Sequence, residues 1–358
     1  MLSVSDLKAL KMIDPEKLVR ENVRNLTPYS SARDEFKGKS GIFMDANENP
    51  FGKLNRYPDP YQQELKGSIA GIKGVAEEMT FLGNGSDEII DLCFRIFCNP
   101  GKDKVLIFTP TYGMYEVSAA INDVEITRIP LTDDFQIDMD NTRKVLDDPL
   151  LKLIFICSPN NPTSNTMKFT DIEEILNRSQ GIVVIDEAYI DFSERPSLLP
   201  LLATYNNLII MHTFSKAFGL AAARVGMAFS NEGILRYFNK MKPPYNISTI
   251  NQKAVLNKLN NLQVVRSQVV RIITERKRLA DKLAESELVI KVFPSDANFL
   301  LVRVKNANKI YNELVARNII VRNRNSVIRD CLRITVGRKS ENNKLVKALN
   351  DIAHLVSD

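Results

Sequence analysis

A lysine, a carboxylate and several hydroxyl and amide side chains stand at places in the sequence where they can act together on one small molecule. Lys216 lies in Thr213-Phe-Ser-Lys-Ala-Phe-Gly, directly after an apolar run. A lysine in a partly desolvated pocket loses its proton and attacks an aldehyde. Asp186 closes Ile182-Val-Val-Ile185, where its carboxylate can hold a heteroaromatic ring nitrogen protonated and so make the ring an electron sink. Tyr189, three residues on, and Asn161, in Ser158-Pro-Asn-Asn-Pro-Thr, supply a hydroxyl and an amide for a phenolate oxygen of the same ring. Tyr112, in Pro110-Thr-Tyr-Gly-Met-Tyr, offers a face to stack on it. Phe81-Leu-Gly-Asn-Gly-Ser-Asp-Glu runs into Ile89-Ile-Asp-Leu, a glycine loop feeding a helix N-terminus whose free N–H groups suit a phosphate. Ser215 and Arg224 are partners for the charge of that phosphate.

Each residue also has an ordinary reading. Most lysines are solvated loop residues, Asp186 can cap a turn, Pro159-Asn-Asn-Pro162 is a turn sequence whatever it binds, and Ser86 or Asp87 can be a plain N-cap. What lifts them is the set of elements that position them. Lys104–Phe108, Leu153–Cys157, Ile182–Ile185 and Leu208–Met211 are short β-branched or aromatic runs alternating with helical patterns, which predicts buried strands of a mostly parallel α/β sheet. Each runs straight into one of the polar segments above, and ligands of open α/β sheets gather at the carboxyl ends of strands. Ala223–Phe229 predicts one more strand, and after Pro243-Pro244 a charged amphipathic stretch from about Ser248 to Glu285 predicts a long connecting helix. Beyond it, strands near Leu288–Val292, Phe299–Val304, Ile319–Arg322 and Cys331–Val336 alternate with helices near Ala307–Arg317 and Glu341–Val356, a second compact α/β unit.

A chain of 358 residues exceeds one simple domain, so one large and one small domain are expected. The net charge of +5 carries no long basic run, which argues against nucleic acid and suits an anionic small substrate. Cys93, Cys98, Cys157 and Cys331 have neither zinc-site spacing nor the density of a disulfide scaffold, so reduced core thiols and no metal site are expected. Met1 to Arg20 offers no uninterrupted apolar segment and no later stretch reaches transmembrane length, giving the expectation of a soluble, cytoplasmic protein.

Taken in order, Asp45-Ala-Asn-Glu-Asn-Pro-Phe-Gly, Arg56-Tyr-Pro-Asp, Gly83-Asn-Gly-Ser-Asp-Glu, Pro110-Thr-Tyr-Gly-Met-Tyr, Ser158-Pro-Asn-Asn-Pro-Thr, Asp186-Glu-Ala-Tyr, Thr213-Phe-Ser-Lys-Ala-Phe-Gly-Leu and Cys331-Leu-Arg-Ile-Thr-Val-Gly span nearly the whole chain. In this order they resemble the fold-type-I aminotransferases that use pyridoxal phosphate (PLP), and among them the histidinol-phosphate aminotransferases. The resemblance implies the aspartate-aminotransferase-like α/β fold, with an N-terminal arm at 1–29, the first part of a small domain at 30–52, a large PLP-binding domain at 53–254 and the rest of the small domain at 255–358. It implies Lys216 as the lysine that bonds the cofactor aldehyde, Asp186 on the ring nitrogen, Tyr189 and Asn161 on the ring oxygen, and Tyr112 on the ring face. Gly85, Ser86, Asp87, Ser215 and Arg224 are implied to hold the cofactor phosphate, Thr213 is counted among the cofactor contacts, and Tyr57 is implied to reach the other subunit's cofactor in a homodimer with shared active sites. Arg333 and Arg322 match the positions that take the substrate's anionic group, with Tyr29 and Asn47 as N-terminal substrate contacts. The implied substrates are histidinol phosphate and glutamate/2-oxoglutarate, in histidine biosynthesis.

Two departures stand out: Ser164 where the family has glycine, which limits positive φ in the Asn161 loop, and Ala222-Ala223 where Ala-Gly is common. A PLP decarboxylase acting on threonine phosphate, or an aromatic aminotransferase, would carry the same motifs. A non-catalytic regulator of this fold would have little reason to keep Lys216, Asp186, Tyr189 and Arg224 together.

Overall fold

The computed structural model describes residues 13–30, 32–36 and 41–356, so the first part of the expected arm and of the segment read for a leader lie outside the described residues. Its larger sheet has seven strands: β1 (Thr80–Gly83), β2 (Lys104–Thr109), β3 (Glu125–Pro130), β4 (Leu151–Cys157), β5 (Ile182–Asp186), β6 (Leu208–Thr213) and β7 (Gly226–Phe229). They lie in the order β1-β7-β6-β5-β4-β2-β3. β3, β2, β4, β5 and β6 are mutually parallel, while β7 runs antiparallel to β6 and to β1.

The apolar runs produce this sheet because both of its faces are covered. Phe155, Val184 and Met211 pack on one side beneath the helix Ser86–Phe97, while Ile154, Ile185 and Ile210 pack on the other. Side chains of this kind contribute about 1.5–3 kcal/mol each when removed from water. The chain reverses its direction of winding between β2 and β4, and the loops after those strands, carrying Tyr112 and Asn161, flank that switch point.

The smaller sheet, β10-β11-β9-β8, is antiparallel and consists of β8 (Val289–Val292), β9 (Phe299–Val304), β10 (Arg322–Asn323) and β11 (Cys331–Thr335). The helices Ala307–Ala316 and Lys339–Val356 cover the face built from Leu300, Val302, Leu332 and Ile334.

Several expected elements differ. The strand expected from Ala223 begins at Gly226, because Ala221–Ala223 forms a 3-10 turn and Arg224 takes the left-handed conformation at φ 50°. The strand expected from Ile319 is only Arg322–Asn323. The long connecting helix is two, Thr249–Leu259 and Leu262–Ala284, parted at Asn260-Asn261, where the Asn261 amide donates to the Asn257 carbonyl. Asparagine competes for backbone groups in this way and is a poor interior residue for a helix. No helix among the described residues is long and apolar enough to cross a membrane.

Candidate active site

The ends of β2, β4, β5 and β6 meet at a cavity of about 240 Å3 lined by Ser86, Asp87, Tyr112, Asn161, Asp186, Tyr189, Thr213, Ser215, Lys216, Arg224 and Arg333. Most of the residues singled out from the sequence therefore share one space.

At its floor Asp186 is buried, with Tyr115 Oη donating to Oδ2 at 2.7 Å and the Ala188 N–H donating to Oδ1 at 3.0 Å. Burial pushes its carboxyl up, against the hydrogen bond from Tyr115, the Ala188 N–H and the charge of Lys216. A desolvated carboxylate at a cavity wall is a site for a cationic N–H. Tyr115, fully buried and stacked on Phe155 at 4.7 Å, was not among the sequence candidates. Its signal was present, since Tyr115 follows Tyr112 at the spacing that closes a first helical turn.

Lys216 stands across the cavity, with Nζ 5.5 Å from the centre of the Tyr189 ring. Burial lowers its pKa most, Arg333 adds to that, and Asp186 opposes it. The net direction favours the neutral, nucleophilic amine. Burial likewise pushes the Tyr189 and Tyr112 phenols up, which keeps both as O–H groups at neutral pH.

The opposite end is a cradle for an anion. Gly85 has φ 78° and ψ 167° and caps the helix Ser86–Phe97, and a Cβ there would lie 2.5 Å from Arg224 Nη2. On β7, a Cβ at Gly226 would lie 2.6 Å from the Ser86 nitrogen, so this glycine lets the strand approach the helix N-terminus. Arg224 Nη2 is 3.1 Å from Asp87 Oδ2, and Tyr112 Oη donates to Asp87 Oδ1 at 3.0 Å. The Asp87 carboxylate is thus engaged by side chains, which leaves backbone N–H groups, Ser215 and Arg224 to meet a phosphate.

Arg333, on β11, donates from Nη1 to Asn161 Oδ1 at 2.6 Å and lies over the Phe299 ring at 5.4 Å. The Asn161 loop is fixed in spite of Ser164, which is fully buried and adopts φ 67°. Its hydroxyl donates to the Thr163 carbonyl at 2.5 Å and to the Pro294 carbonyl at 3.2 Å, and its own carbonyl accepts from the Asp296 N–H at 2.7 Å. Those bonds offset the cost of the left-handed backbone.

The remaining candidates lie elsewhere. Tyr57 is stacked on Tyr245 at 4.5 Å and half exposed, and it lines a separate groove with Asn47. Its backbone is held by Glu48, which accepts from the Tyr57 N–H at 2.7 Å, from Arg33 at 2.7 Å and from Arg56 at 2.6 Å. These bonds, that of Arg56 first, lower the Glu48 carboxyl to about 2. Tyr29 is 74% exposed. Arg322 sits outside the cavity wall but opposite Arg333 in the β10–β11 register. The cysteines are buried and free, and the described residues hold no cluster of metal-ligating side chains.

The residues fit pyridoxal phosphate: a buried carboxylate, a lysine whose pKa is lowered and a glycine cradle that a Cβ would fill are spread across one small cavity. The family described as "Aminotransferase class I and II" matches residues 32–349. Among solved structures, the histidinol-phosphate aminotransferase from Clostridium acetobutylicum superimposes with a TM-score of 0.78 at 26% identity, covering 84% of this chain and 92% of that one. The enzyme of that name from Sinorhizobium meliloti, in complex with pyridoxal-5'-phosphate, shares the fold with a TM-score of 0.79 at 23% identity over 87% of this chain and 90% of that one. Fold and site together define a class I and II aminotransferase. Histidinol-phosphate aminotransferases from Cytophaga hutchinsonii and Bacteroides fragilis are 48% and 51% identical, each aligned over 93% of this chain and 98% of the relative. Within that class the chain belongs to the histidinol-phosphate aminotransferase family.

Proposed function

We propose that this protein transfers an amino group between histidinol phosphate and 2-oxoglutarate, giving imidazole acetol phosphate and glutamate in histidine biosynthesis, with pyridoxal phosphate as its resident cofactor. The observation that carries this reading is one cavity that brings together Lys216, the buried carboxylate of Asp186 and Arg333, which has no ion pair among the described residues. Bound there, the cofactor supplies an electron sink and carries the amino group from one substrate to the other.

The chain's own groups divide the work. Backbone N–H groups of Ser86 and Asp87, with Ser215 and Arg224, hold the phosphate, while Gly85, whose own N–H donates to the Gly83 carbonyl at 2.8 Å, shapes the turn around it. Asp186 keeps a proton on the ring nitrogen, and Tyr115 and Ala188 fix the orientation of its carboxylate. Tyr189 Oη and Asn161 Nδ2 donate to the ring oxygen. Asn161 Oδ1 is already taken by Arg333, so the amide has its NH2 group free for that role. The neutral Lys216 amine accepts the proton that leaves the substrate Cα. Arg333, with Arg322 beside it, receives the substrate's anionic end.

Tyr57 does not line its own chain's cavity, and the segment around it exposes Ile42 at 94%, Met44 at 90%, Phe51 at 82% and Leu54 at 68%. We read this surface as the seat of a second copy, with Tyr57 of each chain serving the other's cofactor phosphate and Tyr29 and Asn47 serving substrate.

The test is to incubate the PLP-loaded protein with 2-oxoglutarate and, in separate reactions, histidinol phosphate, threonine phosphate or an aromatic amino acid, and to measure glutamate and carbon dioxide. Glutamate equal to the donor consumed, without carbon dioxide, is expected. Carbon dioxide from threonine phosphate, with no glutamate from histidinol phosphate, would assign a decarboxylase instead, and glutamate formed from aromatic amino acids but not from histidinol phosphate would assign an aromatic aminotransferase.

A further inference from the structure

The face of the smaller sheet that its helices leave uncovered carries an array of cations. In the antiparallel register, Arg333 on β11 stands opposite Arg322 on β10 and Leu301 on β9. One row along, Cys331 stands opposite Arg303, and Arg303 opposite Lys291. The Arg324 N–H donates to the Cys331 carbonyl at 3.0 Å, which continues the β10–β11 register by one residue and sets Arg324 on the same face as Arg322 and Arg333. Lys291 and Arg303 are occupied by the Phe293 ring, at 4.7 and 5.5 Å.

Arg324 is differently placed. Its Nε is buried with no hydrogen-bond partner, and it has no ion pair among the described residues, as is also true of Arg322 and Arg333. Burial lowers the Arg324 pKa, and the charges of Arg333 and Arg322 lower it further. Neighbouring guanidinium groups without a carboxylate between them repel one another, and an orphaned N–H adds a desolvation cost, so the arrangement gains most from an anion that accepts from all of them. A phosphate monoester offers a charge of up to −2 and three acceptor oxygens, against the single charge of a carboxylate.

We propose that Arg324 is a specificity-determining residue which, with Arg322 and Arg333, makes the anion end of the pocket a phosphate-monoester site that prefers the dianion over a carboxylate. This rests on the phosphate-ester substrate assigned above and adds the residue that separates the two substrates of one active site. Arg333 serves both anions; Arg324 serves the phosphate.

The experiment compares PLP-loaded wild type, Arg324→Gln and Arg324→Lys. In Arg324→Gln, KM for histidinol phosphate should rise about tenfold or more while kcat stays within about threefold, because a charge-assisted contact made equally in ground and transition states is lost. Inorganic phosphate should weaken as a competitive inhibitor by the same factor, and KM for glutamate should change less than about threefold. Arg324→Lys, which keeps the charge but not the fork, should recover part of the loss. Equal changes for both substrates, or none for either, would overturn the proposal. A wild-type protein that does not use histidinol phosphate at all would refute the assigned substrate instead. The phosphate arm would then still decide on Arg324, since calorimetry on the loaded proteins must show weaker phosphate binding in Arg324→Gln if the residue acts as stated.

Discussion

Replacing Gly85 by alanine separates the two things this residue does. Its backbone, at φ 78° and ψ 167°, occupies a region nearly closed to other residues, and forcing alanine into it costs about 1–3 kcal/mol. The new Cβ would also meet Arg224 Nη2 at 2.5 Å. The contacting atom is the end of a long, partly exposed side chain, so the guanidinium retreats by roughly an ångström rather than disturbing the core. That retreat takes it from Asp87 and from the anion cradle. Loss of one charge-assisted contact to the cofactor phosphate is worth about 1.5–3 kcal/mol, or about 10- to 150-fold in affinity. Thermal unfolding of the apo protein and absorbance titration with PLP read the two effects separately. Gly85→Ala should lower both Tm and affinity, Arg224→Gln should lower affinity alone, and the double variant should bind little worse than either single one because both act through one guanidinium. Unchanged PLP affinity in Gly85→Ala, or fully additive losses in the pair, would refute the cradle.

The pH dependence of Lys216 has a sign. Its pKa is lowered by burial and by Arg333, so its reaction with an aldehyde probe rises with pH below the ordinary lysine range. Arg333→Gln should move that profile to higher pH, and Asp186→Asn, which removes the opposing charge, to lower pH, both read by reaction rate against pH. Tyr115→Phe keeps the stack on Phe155 but removes the hydrogen bond that lowers the Asp186 carboxyl. A further rise of that carboxyl by NMR titration is expected, with little change in Tm. Ser164→Ala keeps the left-handed strain and loses the bond to Pro294, so about 1 kcal/mol of stability should go, whereas Ser164→Gly regains most of it by releasing the strain. Denaturant midpoints distinguish the two.

What could be read from the sequence follows from which signals are local. β2, β4, β5 and β6 are uninterrupted apolar runs, and the residues that end them, Asp186 and Thr213 among them, are therefore placed by periodicity alone. β3 was not foreseen because, as an edge strand with mostly solvent-facing side chains, it lacks such a run, and β1 is a short strand hidden within the glycine motif. The break at Asn260-Asn261 was missed because amphipathic spacing continues through it. Tyr115 and Arg324 depend on contacts between distant segments: one reaches Asp186 from the next helix, the other gains its neighbours from strand register. Ser164 takes the positive φ that serine disfavours, and the bonds to Pro294 and Asp296 that make this tolerable come from residues far along the chain.

The central claim, that Lys216 is the group around which the site is built, is tested most directly by reducing the PLP-loaded protein with borohydride and mapping the modified peptide by mass spectrometry. The cofactor mass should lie on Lys216 and be absent from the map of Lys216→Ala. A label on another lysine, or an unmodified Lys216 in a protein that transaminates, would contradict the account.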